Sequence, residues 1–285
     1  MNSTGVSTHR EEIAAGDRFE FGENWRRFLE SVDEARIETA VQSLRGLLGV
    51  ENLESKSFLD VGCGSGLFSL AAHRLGASVV SFDYDLMSVV CCRKLKQSFG
   101  LEDGAAWRIE EGSALDDDFL SGLGTYEVVY SWGVLHHTGK MWPAIEAVSR
   151  RVGPGGVFSL AIYNDQGSWS ERWLRIKKRY NRLPRFLHPI FAGLVMLPLD
   201  LRMAASAFLR FRPMEYIRLW THYDSDRGMS RWRDIIDWVG GLPFEVAKPE
   251  ELLRFLRPRG FELVNLKTRL GNLGCNEFVF RRPSI

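Results

Sequence analysis

One turn constrains what this chain can fold into more than any other feature. The apolar run Ser57-Phe58-Leu59-Asp60-Val61 stops at Gly62-Cys63-Gly64-Ser65-Gly66 and passes at once into the helical pattern LFSLAAHRLG. Alternate glycines allow a tight turn and let a ligand approach the backbone beside a helix N-terminus. Such a strand–turn–helix junction belongs to parallel sheets, whose ligands bind outside the carboxyl ends of the strands. The spacing departs from the dinucleotide pattern GxGxxG, because position 67 is Leu and the third glycine is Gly66. A pyrophosphate suits the positive end of a helix; an acid at Asp60 better suits a ligand with a cationic amino group. Asp83 closes the next apolar run, SVVSFD, 21 residues after Gly62. A carboxylate there can accept both ribose hydroxyls of an adenosine.

Around this junction the period of the apolar residues keeps switching. Five strand patterns (SFLDVG, SVVSFD, AAWRIEEGSA, YEVVYSW, GGVFSLAIY) alternate with helical stretches up to Tyr163, which predicts a doubly wound parallel sheet. Before it, residues 1–16 are polar and read as a frayed tail. From Asp17 to Val50 the apolar spacing reads as helices. After Tyr163 the alternation stops. Residues 164–246 hold 14 Lys+Arg and 9 Asp+Glu in a chain whose net charge is only +1, and five tryptophans, which read mostly as core: Trp169, Trp173, Trp220, Trp232 and Trp238. A helix at Pro249–Leu256 then leads to FELVNLKTR and CNEFVFRR, a closing antiparallel pair. The expected organisation is a tail and helical cap (1–50), a cofactor-binding core (51–163), a substrate-lid insert (164–246) and a C-terminal helix and hairpin completing the core (247–285).

Composition excludes several classes. With 45% hydrophobic and 26% charged residues the chain is no disordered polymer, and its near-neutral balance argues against holding nucleic acid through a global field. Cys63, Cys91, Cys92 and Cys275 form no CxxC pair and no metal spacing, so no metal is expected. The first residues lack an apolar leader core. The longest uncharged apolar stretch, Pro189–Leu199, has 11 residues and two prolines, short of a membrane span. A reduced, cytoplasmic setting is the expectation.

Asp60–Gly66, Asp83 and SWGVLHHTGKMWPAIEAVSRRVGPGGVFSLAIY together resemble the class I S-adenosylmethionine-dependent methyltransferases, and more narrowly the small-molecule methylases of the ubiquinone-biosynthesis type. The resemblance implies a mostly parallel seven-stranded sheet ordered 3-2-1-4-5-7-6 with the last strand antiparallel, and FGENWRRFL resembles an N-terminal cap found in a subset of these enzymes. It implies S-adenosyl-L-methionine as cofactor, with Gly62, Cys63, Gly64 and Gly66 along its methionine part and Asp60 near the ammonium. Asp83 would hold the ribose, Tyr84 or Met87 would cover the adenine, and Ser113 and Ala114 would meet its edge. Ser113 stands where the family usually has an acid, and its hydroxyl can still accept a hydrogen bond. Ser131 and Trp132 end the fourth strand, beside cofactor and acceptor.

His136 and His137 follow that strand, where a base could take the proton of an acceptor hydroxyl. His137 is the first candidate, His136 the second, and His222 in THYDSDRGMSRW a third; one of the adjacent pair could instead cap the following turn. The basic run Arg172–Arg185 followed by HPIFAGLVMLPLDLRMAASAFL reads first as a substrate lid. It reads next as a segment resting on an anionic membrane surface, and last as a nucleic-acid face. The function expected is methyl transfer to a small-molecule hydroxyl on a phenol, quinol, natural product or lipid-linked sugar. The alternatives are an RNA modifier on the same core and a scaffold that binds the cofactor without transfer.

Overall fold

The computed structural model describes residues 9–29, 32–101, 106–221, 231–270 and 273–284. In chain order its elements begin with helices α1 (His9–Ala15), α2 (Phe21–Leu29) and α3 (Glu34–Leu48). The alternating part is β1 (Ser57–Val61), α4 (Leu67–Arg74), β2 (Ser78–Asp83), α5 (Leu86–Ser98), β3 (Trp107–Glu111), α6 (Asp117–Leu123), β4 (Tyr126–Trp132), α7 (Met141–Ser149) and β5 (Val152–Tyr163). Four helices follow, α8 (Ser168–Arg182), α9 (His188–Leu209), α10 (Pro213–Thr221) and α11 (Arg231–Gly240), then α12 (Pro249–Leu256), β6 (Glu262–Lys267) and β7 (Cys275–Arg281).

The seven strands form one sheet in the order β3-β2-β1-β4-β5-β7-β6, as the resemblance implied. Strands β1 to β5 run parallel, and β7 lies antiparallel between β5 and β6. Central β1 is buried from Phe58 to Val61, with Leu59 and Val61 on one face and Phe58 beside the buried Asp60 on the other, as in a strand covered by helices on each side. Leu59, Val129, Phe158, Leu160, Phe278 and Phe280 meet Ile145, Val148, Leu252 and Leu256 in the core. Helix α3 is bounded by its own sequence. The Asp33 carboxylate accepts the Arg36 N–H, and Gly49 ends the helix in the left-handed region at φ 68°, as N-cap acids and C-terminal glycines do.

The described residues fall into two compact units. One comprises Phe21–Ser170 with Pro243–Ile285; the other joins the residues up to Glu20 to Glu171–Leu242. Each unit joins stretches that are far apart in the chain. The segment read as a frayed tail contributes helix α1 and belongs with the insert. Within that unit Phe19 N–H donates to Leu242 O at 3.1 Å, and a Cβ on Gly240 would lie 2.4 Å from the Phe19 ring.

The insert departs from the sequence-based expectation in two respects. Its tryptophans are not mostly core: Trp173 is buried, whereas Trp169, Trp220 and Trp232 are exposed. The Pro189–Leu199 stretch also understates its helix. Arg185–Leu209 is long and apolar enough to cross a membrane by length and composition, because only Asp200 and Arg202 interrupt α9 and Pro198 sits inside the helix without ending it.

Candidate active site

The glycine turn sits where β1 leaves the sheet. Gly62, Gly64 and Gly66 have φ of 77°, 53° and 83°, a region open to glycine at little cost. The loop is packed as well as bent. A Cβ on Gly62 would lie 2.3 Å from Val134, one on Gly64 2.8 Å from the Trp25 indole, and one on Gly66 2.5 Å from Cys92 Sγ. Gly62 and Cys63 N–H groups both donate to Phe82 O, at 2.8 and 3.0 Å, which ties the turn to the end of β2.

Asp83 holds the same junction from the other side. Its Oδ2 accepts the Gly64 N–H at 2.9 Å and its Oδ1 the Asp85 N–H at 2.9 Å. Burial pushes its carboxyl up to about 6 against those two bonds. A carboxylate offers about four acceptor sites, so Asp83 can receive further donors at the open end of β2. Asp60 behaves differently. It is 2% exposed, and Ser69 Oγ donates to its Oδ2 at 2.5 Å. Behind Ser69 stand Ser81 Oγ at 2.7 Å and the Trp107 indole N–H, which donates to Ser81 at 2.7 Å. Trp107 can only donate, so the chain of bonds points toward the Asp60 carboxylate. Burial raises that carboxyl to about 7; Ser69 opposes this and the charge of Asp83 adds to it. A positive ligand group near the loop would favour the ionised form of both acids.

The other cofactor candidates divide by what their side chains already do. Met87 is 41% exposed at the start of α5, and Tyr84 is half-buried beside it. Ser113 Oγ accepts the Leu115 N–H at 3.1 Å, and Ala114 is buried in the core. Ser131 is buried, and its hydroxyl donates to Val61 O at 3.1 Å, pinning the end of β4 to that of β1. Half-buried Trp132 ends β4.

Beyond β4 and β5 lies an aromatic nest. His137 Nδ1 is 2.6 Å from Pro243 O, and since a carbonyl only accepts, Nδ1 carries the proton and Nε2 is the basic nitrogen of the neutral ring. Its ring centroid lies 4.8 Å from Phe21, 4.4 Å from His136 and 5.3 Å from Tyr163. His136 has no exposed surface, and its ring centroid lies 3.9 Å from that of Tyr163 with the planes tilted by 35°. Its backbone carbonyl accepts the Glu245 N–H at 3.0 Å. Glu245 in turn accepts the Met141 N–H at 2.9 Å, at the start of α7, and burial raises its carboxyl. His222 lies outside the described residues.

Phe21, Trp25, Val134, Pro243 and Glu245 were not singled out from the sequence. Helix α2 reaches the site because Gly22 permits a close approach. Its N–H donates to Asp85 Oδ2 at 2.8 Å, and a Cβ there would lie 2.3 Å from that oxygen. A glycine in the first turn of an otherwise ordinary helix was the available signal.

A model of the methyltransferase domain matches residues 32–191. The chain belongs to the methyltransferase-domain family. This methyltransferase-domain chain is 28% identical over 142 residues to the ubiquinone biosynthesis O-methyltransferase of Colwellia psychrerythraea, covering 48% of this chain and 55% of that protein. It is 28% identical over 164 residues to the protein of that description from Erwinia tasmaniensis, covering 57% and 63%. It therefore spans little more than half the length of these curated relatives. Among solved structures, the magnesium protoporphyrin IX methyltransferase of Synechocystis with bound S-adenosylhomocysteine aligns with TM-score 0.50 at 16% identity, over 91% of this chain and 93% of that one. The 1,6-didemethyltoxoflavin-N1-methyltransferase of Burkholderia thailandensis aligns with TM-score 0.52 at 15% identity, over 100% and 94%. At those identities the likeness speaks for the fold, a class I methyltransferase sheet with its reversed last strand.

Proposed function

We propose that this protein transfers a methyl group from S-adenosylmethionine to the hydroxyl of a small-molecule acceptor. The observation that carries the reading is the junction of Gly64 with Asp83, a glycine turn closed by a carboxylate at the ends of β1 and β2. The donor set fits this cofactor. Asp83 suits ribose hydroxyls, Met87 offers apolar surface to an adenine, and two acids of raised pKa suit a ligand carrying ammonium and sulfonium charge. When bound, the cofactor supplies an electrophilic methyl group.

The chain's own residues do the rest. Gly62 to Gly66 shape the cradle, and Asp60, which is 2% exposed with its Oδ2 held by Ser69, acts on it through its charge. His137 takes the acceptor proton on Nε2, with Pro243 O keeping the opposite nitrogen protonated. The curated relatives are described as O-methyltransferases, which supports oxygen as the acceptor atom. Acceptor choice is assigned to the insert, so substitutions within Glu171–Leu242 should change which acceptors turn over and leave cofactor affinity unaltered.

The reading is tested by titrating the protein with S-adenosylhomocysteine and with NAD in a calorimeter, then following label from S-[methyl]-adenosylmethionine into phenolic and quinol acceptors. Binding of the first ligand alone, with transfer to oxygen, is expected. Binding of NAD at comparable strength would overturn it.

A further inference from the structure

Helix α9 presents its apolar residues to the wrong side for a helix that only packs on protein. Its buried residues are Ala192, Met196 and Ala207, and the helix packs on α10 and α11. On the opposite face, at steps of three, four and seven residues, stand Ile190 at 59%, Leu194 at 64%, Leu197 at 47%, Leu201 at 60% and Phe208 at 72% exposure. A surface helix carries charged and polar residues there. The stripe continues past both ends, with Phe186 at 76% and Phe211 at 94%. Phe211 also has φ 57°, a strained conformation for an aromatic residue.

The charge around the stripe is mostly positive, although Arg185 pairs with Glu20 at 2.9 Å and Arg212 with Glu215 at 3.1 Å. From Leu183 to Trp220 there are five arginines (Arg185, Arg202, Arg210, Arg212, Arg218) against Asp200 and Glu215. Asp200 is held by Arg231 Nη2 at 2.5 Å, on the side of α9 that faces α11. An outward apolar stripe with arginines at its ends is the arrangement of helices that lie in the plane of a bilayer. Aromatic residues and arginines at its margins match the headgroup level.

We propose that α9 and the Arg210–Pro213 corner form a docking surface for an anionic lipid membrane, with the helix lying flat. Spanning is disfavoured by the Asp200–Arg231 pair, which ties the helix to α11. A second copy of this chain is also a poor occupant. Laying two such stripes together brings Arg185 against Arg210 and Arg212 when antiparallel, and like ends together when parallel.

The full chain, sedimented with phosphatidylcholine vesicles or with vesicles also containing phosphatidylglycerol, tests this. Sedimentation with the mixed vesicles is expected, weakened by about tenfold or more on phosphatidylcholine alone and at high salt. The double variant Leu194→Glu/Leu201→Glu and the double variant Arg210→Glu/Arg212→Glu should each lose binding by about tenfold or more. Phe211→Asn keeps the experiment independent of folding, since Asn tolerates the left-handed region better than Phe. It should unfold at the same or a higher temperature and still bind vesicles less. Failure to sediment with either vesicle would overturn the proposal, as would equal binding to both or variants that sediment like the parent chain. A dimer in light scattering that Leu194→Glu/Leu201→Glu dissociates, without vesicle binding, would assign the face to a second copy instead.

Discussion

Asp83 and Asp60 end neighbouring strands and are both acids, yet they act differently because their surroundings differ. Asp83 faces the open end of the sheet and closes the glycine turn through Gly64 and Asp85. Asp83→Ala should weaken S-adenosylhomocysteine binding by about 1.5–3 kcal/mol, the range for hydrogen bonds to a charged group, measured by calorimetry on the folded variant. Asp60 is sealed in, with its folded pKa near 7. A carboxyl raised in this way binds more protons folded than unfolded. Its contribution is therefore most favourable below about pH 4 and is lost as pH rises toward about 7. Asp60→Asn keeps an oxygen for Ser69 and removes that charge. Its melting temperature should exceed the parent's above about pH 7, by roughly 2–4 °C for each kcal/mol relieved, and the difference should shrink toward about pH 5. A constant difference across that range would sink the assignment. His137→Ala should lower kcat by about 10²–10⁴ with little change in cofactor binding, read from turnover at saturating acceptor.

At the scale of elements, α2 lies on the glycine turn. The Trp25 indole rests where a side chain on Gly64 would go, so the two positions are energetically coupled. Gly64→Ala should destabilise the protein through its φ of 53° and through the clash. Trp25→Ala should relieve the clash, leaving a coupling of about 0.5–3 kcal/mol in a double-mutant cycle of thermal unfolding; additive effects would show that the contact does not matter. The strands were legible because their apolar runs and glycine punctuation are local, and the turn Asp60–Gly66 announced its own geometry. Their order came from the resemblance to a family. What escaped was non-local. Nothing near Phe21 or Trp25 in the chain says that they meet His137 or Gly64, and nothing near Ser69 says that Trp107 anchors its hydrogen bonds. Helix α9 escaped for another reason: Asp200 and Arg202 split the count of uncharged residues, whereas a helix distributes them to its sides and leaves one face apolar.

At the scale of the molecule, both units are discontinuous, each assembled from segments far apart in the chain. Strand β7 fills the slot between β5 and β6, and its residues Cys275 to Phe280 are buried. A chain cut just before Cys275 should leave the β5 edge unpaired and be found largely insoluble, or soluble with strong binding of a hydrophobic dye. A truncated chain that melts like the full one would contradict this. The placement also sets a clock. Strand β5 ends at Tyr163 and its partner opens at Cys275, about 110 residues later, so a ribosome making about 5–20 residues per second needs roughly 6–22 s to deliver it. For that time the nascent sheet displays Phe158, Leu160 and Ile162 on a strand with one side unzipped. The β5 edge thus waits for its partner during synthesis, and slower translation across the insert would lengthen that wait.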